Sequence, residues 1–347
     1  MDKTSEKADI KNVVGALVAL AVVVAIIAIV RLDVFGSKGS GLSKEFTYDV
    51  AELAHVDPNL ILYEESAGAI QTGLSNSHSI AVDSGNSIYV AGDRAIRVFA
   101  QNGDVQRQIE LSSAPTCLAL SGDGMIYIGL KDHVEVYNAQ GQRQASWDSL
   151  GADAILTSIA VTKDVVFVAD AGNRVVDRYD MTGHLVNTIG EKDTDRNIPG
   201  FIIPSAYFDL AVSKDGLLRV VNPGRLRIEA YTFDGDYEFA WGKSSVAIEG
   251  FCGCCNPVNI ALLPDGSFVT CEKGLVRVKI YDSEGRFVGV VASPEQLVED
   301  RQLVICEFPE QCQSGGFDVA VDSAGRIYVL DTIKNIVRTF TKVKDQP

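Results

Sequence analysis

The sequence predicts an all-β chain, a six-bladed β-propeller of four-stranded blades preceded by one transmembrane helix. Three observations carry that prediction. An apolar run near the N-terminus gives way to a polar linker, a strand-rich pattern then recurs six times, and glycine turns punctuate the copies.

Taken in order, residues 1–12 form a short tail. Residues 13–30, VVGALVALAVVVAIIAIV, are 18 consecutive apolar or glycine positions. That length sits at the lower edge of what a helix needs to cross about 30 Å of hydrocarbon. The following RLDVFGSK carries no small-x-small cleavage site, so residues 13–35 read as an uncleaved signal-anchor helix. Lys3, Lys7 and Lys11 before the run balance Arg31, Lys38 and Lys44 after it, so basic residues do not set the orientation. The short leader favours export, with the body on the extracytoplasmic, periplasmic side. Residues 36–58, which include GSKGSGLSK, read as a flexible linker.

The repeat occupies residues 59–342. Its copies open at Ile80-Ala81-Val82-Asp83, Leu118-Ala119-Leu120, Ile159-Ala160-Val161, Leu210-Ala211-Val212, Ile260-Ala261-Leu262 and Val319-Ala320-Val321-Asp322. The spacings are 38, 41, 51, 50 and 59 residues. Each opening leads to a second apolar strand such as IYV and a third such as IRVF. Turns with hairpin chemistry follow, among them Asn102-Gly103, Asp234-Gly235 and Glu284-Gly285. Four-stranded units repeated without helices close into a propeller. The last copy lacks a fourth strand, and Asn59–Glu64 is placed to supply it, so that no sheet edge stays open.

The copies resemble NHL repeats. The likeness rests on the initial Ile-Ala-Val-Asp, on IYVxD with a short loop and an apolar strand, and on the terminal hairpin glycine. Asp170-Ala171-Gly172-Asn173-Arg174 is nearest to that family's loop, and the resemblance covers about residues 59–342. It implies the fold and leaves function open, since such propellers include binding platforms, lyases and sensors.

Composition narrows the partners. With 31 basic against 46 acidic residues the net charge is −15, which repels phosphate backbones and excludes nucleic acid. At 46% hydrophobic residues the chain holds enough apolar material for a packed core. Three long insertions, residues 191–207, 244–258 and 293–317, all fall between a fourth strand and the next first strand, and so share one face.

Six of the seven cysteines gather there: Cys252, Cys254 and Cys255 in one insertion, Cys306 and Cys312 in another, and Cys271 at a strand end. Three chemistries compete for them. Three disulfides suit an exported domain, a metal or iron–sulfur cluster suits convergent thiols, and reactive thiols suit redox exchange.

The residues preceding the six openings are Ser79, Cys117, Ser158, Asp209, Asn259 and Asp318, which ring the channel mouth. Asp209, Asn259 and Asp318, with His78 beside them, are candidate ligands, and oxygen donors of this kind suit calcium. A solvated polar channel is the plainer reading of the same residues. Trp241 and Phe251, beside the cysteine loop, are candidates for a partner surface. The four histidines are too scattered for the three-histidine zinc site of NHL-like amidating lyases, and no nucleophile–base pair stands out.

The resulting expectation is a membrane-anchored binding platform for a protein or small ligand, working through its cysteine-rich face. The alternatives are a metal- or cluster-bearing subunit of a membrane redox complex and a calcium-dependent lactonase- or esterase-like hydrolase.

Overall fold

Alternation of apolar residues along the repeats builds six antiparallel sheets, five of them from strands adjacent in sequence and the sixth completed from the N-terminal side. The computed structural model describes residues 16–25, 27, 53–66, 68–253, 255–298 and 316–343. Blade one comprises Ser77–Val82, Ile88–Gly92, Ala95–Phe99 and Val105–Glu110. The first strands of the following blades are Cys117–Leu120, Leu156–Val161, Leu210–Val212, Asn259–Leu262 and Asp318–Val321. Within a blade the second strand is buried along its length, as in Ile88–Gly92, whereas the fourth, as in Val105–Glu110, is mostly exposed, except in blade five, where Gly289–Ala292 are buried. Hydrophobic content therefore falls from the middle of the blade to its outer edge, as the sequence does.

The repeated aspartates are structural. Asp83 Oδ1 accepts from the Gly85 and Ser87 amides, and Asp322 Oδ1 from those of Ala324 and Arg326, so each fixes the hairpin after a first strand. Asp170, at the end of a second strand, accepts from the Ile155, Gly172 and Asn173 amides. It thus ties its own loop to the segment entering the blade. Glycines of the outer hairpins let neighbouring blades nest. Gly183 and Gly285 have φ of +91° and +79°, and a Cβ there would lie 2.5 Å from Trp147 and 2.2 Å from Trp241.

The ring closes as a composite. Tyr63–Glu65 pairs antiparallel with Ile336–Lys342 as the fourth strand of blade six, and Ile70–Gln71 pairs with the same strand's start. Arg338 seals the junction, donating from Nε and Nη2 to the two Glu65 oxygens at 2.7 and 2.6 Å. The closing strand lies later than the expected Asn59–Glu64. Asp57 caps a short 3₁₀ turn over Pro58–Leu60, whose proline favours the turn, and the chain straightens only beyond it. A second departure from the helix-free expectation is the single turn Pro294–Leu297, closed by a Ser293–Gln296 capping box.

The N-terminal unit, residues 1–49, is separate from this body. Residues 16–25 are helical, every one of them alanine, leucine or valine, and Leu17, Val18, Leu20, Val22, Val23 and Val24 are exposed. Among the described residues no helix is long and apolar enough to cross a membrane. The rest of the expected 13–35 span lies outside the described residues.

Candidate functional site: channel mouth, funnel and cysteine loop

The six residues that precede the repeat openings do come together. Ser79, Cys117, Ser158, Asp209, Asn259 and Asp318 line one polar cavity of about 140 Å³ at the head of the channel, with His78 at its edge. What they do there is stitch the blades. Asp318 Oδ2 accepts from Ile80 N of blade one at 2.8 Å, and Asp209 Oδ2 from Ile260 N of blade five at 2.6 Å. Ser79 Oγ accepts from Leu118 N, Ser158 Oγ from Leu210 N, and Asn259 Nδ2 donates to Phe317 O at 2.8 Å. The second oxygens of Asp209 and Asp318 accept from the Leu210 and Val319 amides, both at 2.8 Å.

Both carboxylates are thus engaged by backbone amides on each oxygen. Among the described residues no group of three or more His, Cys, Asp or Glu is arranged to hold a metal. These bonds do not remove the electrostatic cost of the site. Burial and the facing Asp318 push Asp209 up to about 7, and burial pushes Asp318 up to about 6. Burial pushes the Cys117 thiol up to about 12.

Above the ring the channel widens into a funnel of about 650 Å³. Its wall combines the segments entering the blades (Asn76, Thr116, Ile155, Ala206, Tyr207, Gly316) with Thr332 and Ile333 from the turn after a second strand. Among the described residues no Lys, Arg, Asp or Glu lines it, although the chain carries a net −15. Ile155 and Ile333 are exposed at 37% and 42%, which sets two apolar side chains on an otherwise polar rim. His78 lines both funnel and channel, and burial, opposed by the Asp93 charge, holds it below the usual imidazole range. The ring and His78 are legible in the repeat pattern, whereas Tyr207, Ile155 and Ile333 sit in connections of unlike length and are not.

The cysteine loop lies over blade five. Cys252 is half-buried, Cys255 and Cys271 are buried, and Cys252 and Cys271 carry unbridged thiols. Cys254, Cys306 and Cys312 lie outside the described residues. Asn256 clamps the loop, donating from Nδ2 to Cys252 O at 2.6 Å and to Lys273 O at 3.0 Å while accepting from Lys273 N. Lys273 in turn donates to Ser205 Oγ at 2.9 Å and lies 4.5 Å from the ring centre of Tyr207, on the funnel wall.

Beneath the loop is a buried ionic group that the sequence did not announce. Glu272 receives Arg277 Nη2 at 2.7 Å and Lys279 Nζ at 2.6 Å, all three side chains being essentially without solvent contact. Lys279 also donates to the Ile248 and Gly250 carbonyls of the insertion, at 3.0 and 2.7 Å. Burial, opposed by Glu272, brings Lys279 down to about 8. The expectation that Phe251 and Trp241 serve a partner is corrected here. Both rings are interior, packed with Phe268 and Tyr281, and Phe251 covers the Lys279 ammonium at 4.7 Å.

With this geometry in hand, the likeness to solved structures is one of fold. A streptogramin B lyase is 10% identical with a TM-score of 0.56, covering 81% of this chain and 98% of its own. A catalytically inactive His-to-Ala virginiamycin B lyase from Staphylococcus aureus, solved with quinupristin, is 13% identical with a TM-score of 0.54 and covers 81% and 100%. The WD40 propeller domain of Doa1 is 18% identical at 0.52, covering 77% and 79%. No family model and no curated protein matches the chain, so the NHL likeness rests on the repeat residues alone.

Proposed function

We propose that the propeller is a binding module that takes an uncharged, amphipathic ligand into the funnel above the channel mouth. The observation that carries this reading is a cavity of about 650 Å³ whose lining, among the described residues, holds no Lys, Arg, Asp or Glu in a strongly acidic protein. Such a wall offers hydrogen bonds from Asn76, Thr157, Asn259 and Thr332 and apolar contact from Ile155, Ile333 and Tyr207, and no counter-charge for an ion. Concave, mostly pre-formed sites of this size suit a small molecule or a peptide tip.

Support for binding over catalysis comes from the acids. Asp209 and Asp318, which a hydrolase would need as ligands or bases, are committed to backbone amides between blades. One histidine, His78, faces the funnel among the described residues. The similar lyase structure that contains quinupristin makes that compound a natural first probe. The fully apolar, exposed helix at residues 16–25 supports the companion proposal that the N-terminus anchors the module to a membrane, and the short leader before it supports an extracytoplasmic propeller.

The test is ligand-observed NMR of the full chain against quinupristin and a set of capped, uncharged peptides and glycosides. Binding that disappears in both Ile333→Arg and Ile155→Arg supports the funnel. Binding that survives both changes sets the ligand elsewhere and overturns the proposal, as does tighter binding of singly charged versions of the same peptides screened beside them.

A further inference from the structure

The ionic group under the cysteine loop holds two buried cations, Arg277 and Lys279, against one carboxylate, Glu272. Among the described residues this group has no second buried carboxylate, Glu249 nearby being partly exposed and paired with Lys243, and Arg277 Nε, inside a side chain only 1% exposed, has no hydrogen-bond acceptor. A buried excess charge of this kind is costly unless something answers it. The group that faces it is a thiol. Cys252 Sγ lies 3.5 Å from Arg277 Nη2 and directs its S–H toward Glu272 Oε2 at 3.9 Å. Cys252 is half-buried, whereas Cys117, Cys255 and Cys271 are buried.

We propose that Cys252 is an oxidation site, converted by peroxide to a sulfenic acid whose ionised form is seated against Arg277. In the step, Sγ attacks one oxygen of hydrogen peroxide, an S–O bond forms and the O–O bond breaks. Sulfur gives up two electrons and the peroxide is reduced. The departing hydroxide takes the thiol proton and leaves as water. A sulfenate supplies the negative charge that the Glu272–Arg277–Lys279 group lacks, so the product is stabilised where the thiol is not. Before oxidation, burial and Glu272 push the Cys252 thiol up, and Arg277 and Lys279 oppose that shift. The reaction is therefore slow at neutral pH and faster in alkali.

The experiment treats the reduced full chain with hydrogen peroxide, traps sulfenic acid with dimedone and maps each cysteine by peptide mass. Rates are compared in Arg277→Met and Glu272→Gln, each first shown to be folded by circular dichroism. The proposal expects a dimedone adduct on Cys252 in the folded protein, formed about tenfold more slowly in Arg277→Met, which corresponds to roughly one pKa unit at the thiol. It expects faster formation in Glu272→Gln, because the thiolate then becomes the only counter-ion to two cations. A purely structural role predicts no such opposition of sign. If Arg277→Met does not fold, the direction in Glu272→Gln decides. A folded parent whose Cys252 stays unlabelled while the denatured chain is labelled overturns the proposal, and so does slower labelling in Glu272→Gln.

Discussion

Blades four and five carry the same pentapeptide pattern 50 residues apart, RIEAY at 227–231 and RVKIY at 277–281, with one charge reversed. In blade four Glu229 is the centre. It accepts from Asn222 Nδ2 at 3.0 Å, Arg227 Nε at 2.7 Å and the Tyr231 hydroxyl at 2.7 Å. Blade two repeats that arrangement, with Glu135 accepting from Tyr137. In blade five the central residue is Lys279, and every partner changes with it. The lysine donates to two carbonyls of the 244–258 insertion, Tyr281 donates to a third, Glu249 O, and Glu272 enters as counter-charge. A donor in place of an acceptor turns the blade's internal knot into a mooring for the cysteine loop. A single reversed charge thus separates a blade that meets its insertion through a neutral amide, Asn222 bonding to Ile202 N and Gly200 O, from one that moors its insertion directly on a buried ammonium.

The comparison can be broken most forcefully at its two centres. Glu272→Ala leaves two buried cations unpaired and is expected to cost about 3–5 kcal/mol in urea unfolding of the chain. Glu229→Ala removes acceptors from a tyrosine, an asparagine and a partly exposed arginine, at a cost of about 1–3 kcal/mol. Equal losses in the two variants would mean that blade five has no special ionic centre.

The channel ring sharpens the contrast, because its acids are held by amides and not by cations. Folded-state values of about 7 for Asp209 and about 6 for Asp318 lie above the unfolded carboxylate value of about 3.9. Between those limits the folded state binds more protons. The contribution of these two groups is therefore greatest at low pH and is lost as pH rises through 6 to 7. Asp209→Asn removes its share of that dependence, so the variant's stability deficit should shrink between pH 5 and pH 8. A deficit that grows over that range would contradict the raised value. The smallest expected effect on stability is that of Ile333→Arg, within about 0.5 kcal/mol, because the side chain is exposed. The same change should abolish ligand binding, which separates the funnel's role from the fold.

How far the sequence disclosed this depends on what each residue does. The openings of the repeats located all six first strands, because the position before each opening points into the channel and its period is written in the chain. The closing strand slipped by a few residues, because Asp57-Pro58 forms a turn that an apolar count does not see. Trp241 and Phe251 looked available beside a cysteine loop, but Phe251 roofs Lys279 and Trp241 packs on Phe268 and Tyr281, and nothing short of the packing reveals that. Glu272, Arg277 and Lys279 read individually as solvated strand-end charges. Only alignment of RVKIY on RIEAY exposes the reversal, and even then the partner carbonyls belong to an irregular insertion.

The claim on which the functional account depends is that the funnel selects against charge. The most direct measurement is isothermal titration of the full chain with the best neutral compound from the NMR screen and with its analogue bearing one added carboxylate. The charge-free wall predicts that the neutral compound binds at least about tenfold more tightly, since an ion entering it loses hydration without gaining a partner. Equal or tighter binding of the carboxylate would contradict the account and move the site away from the funnel.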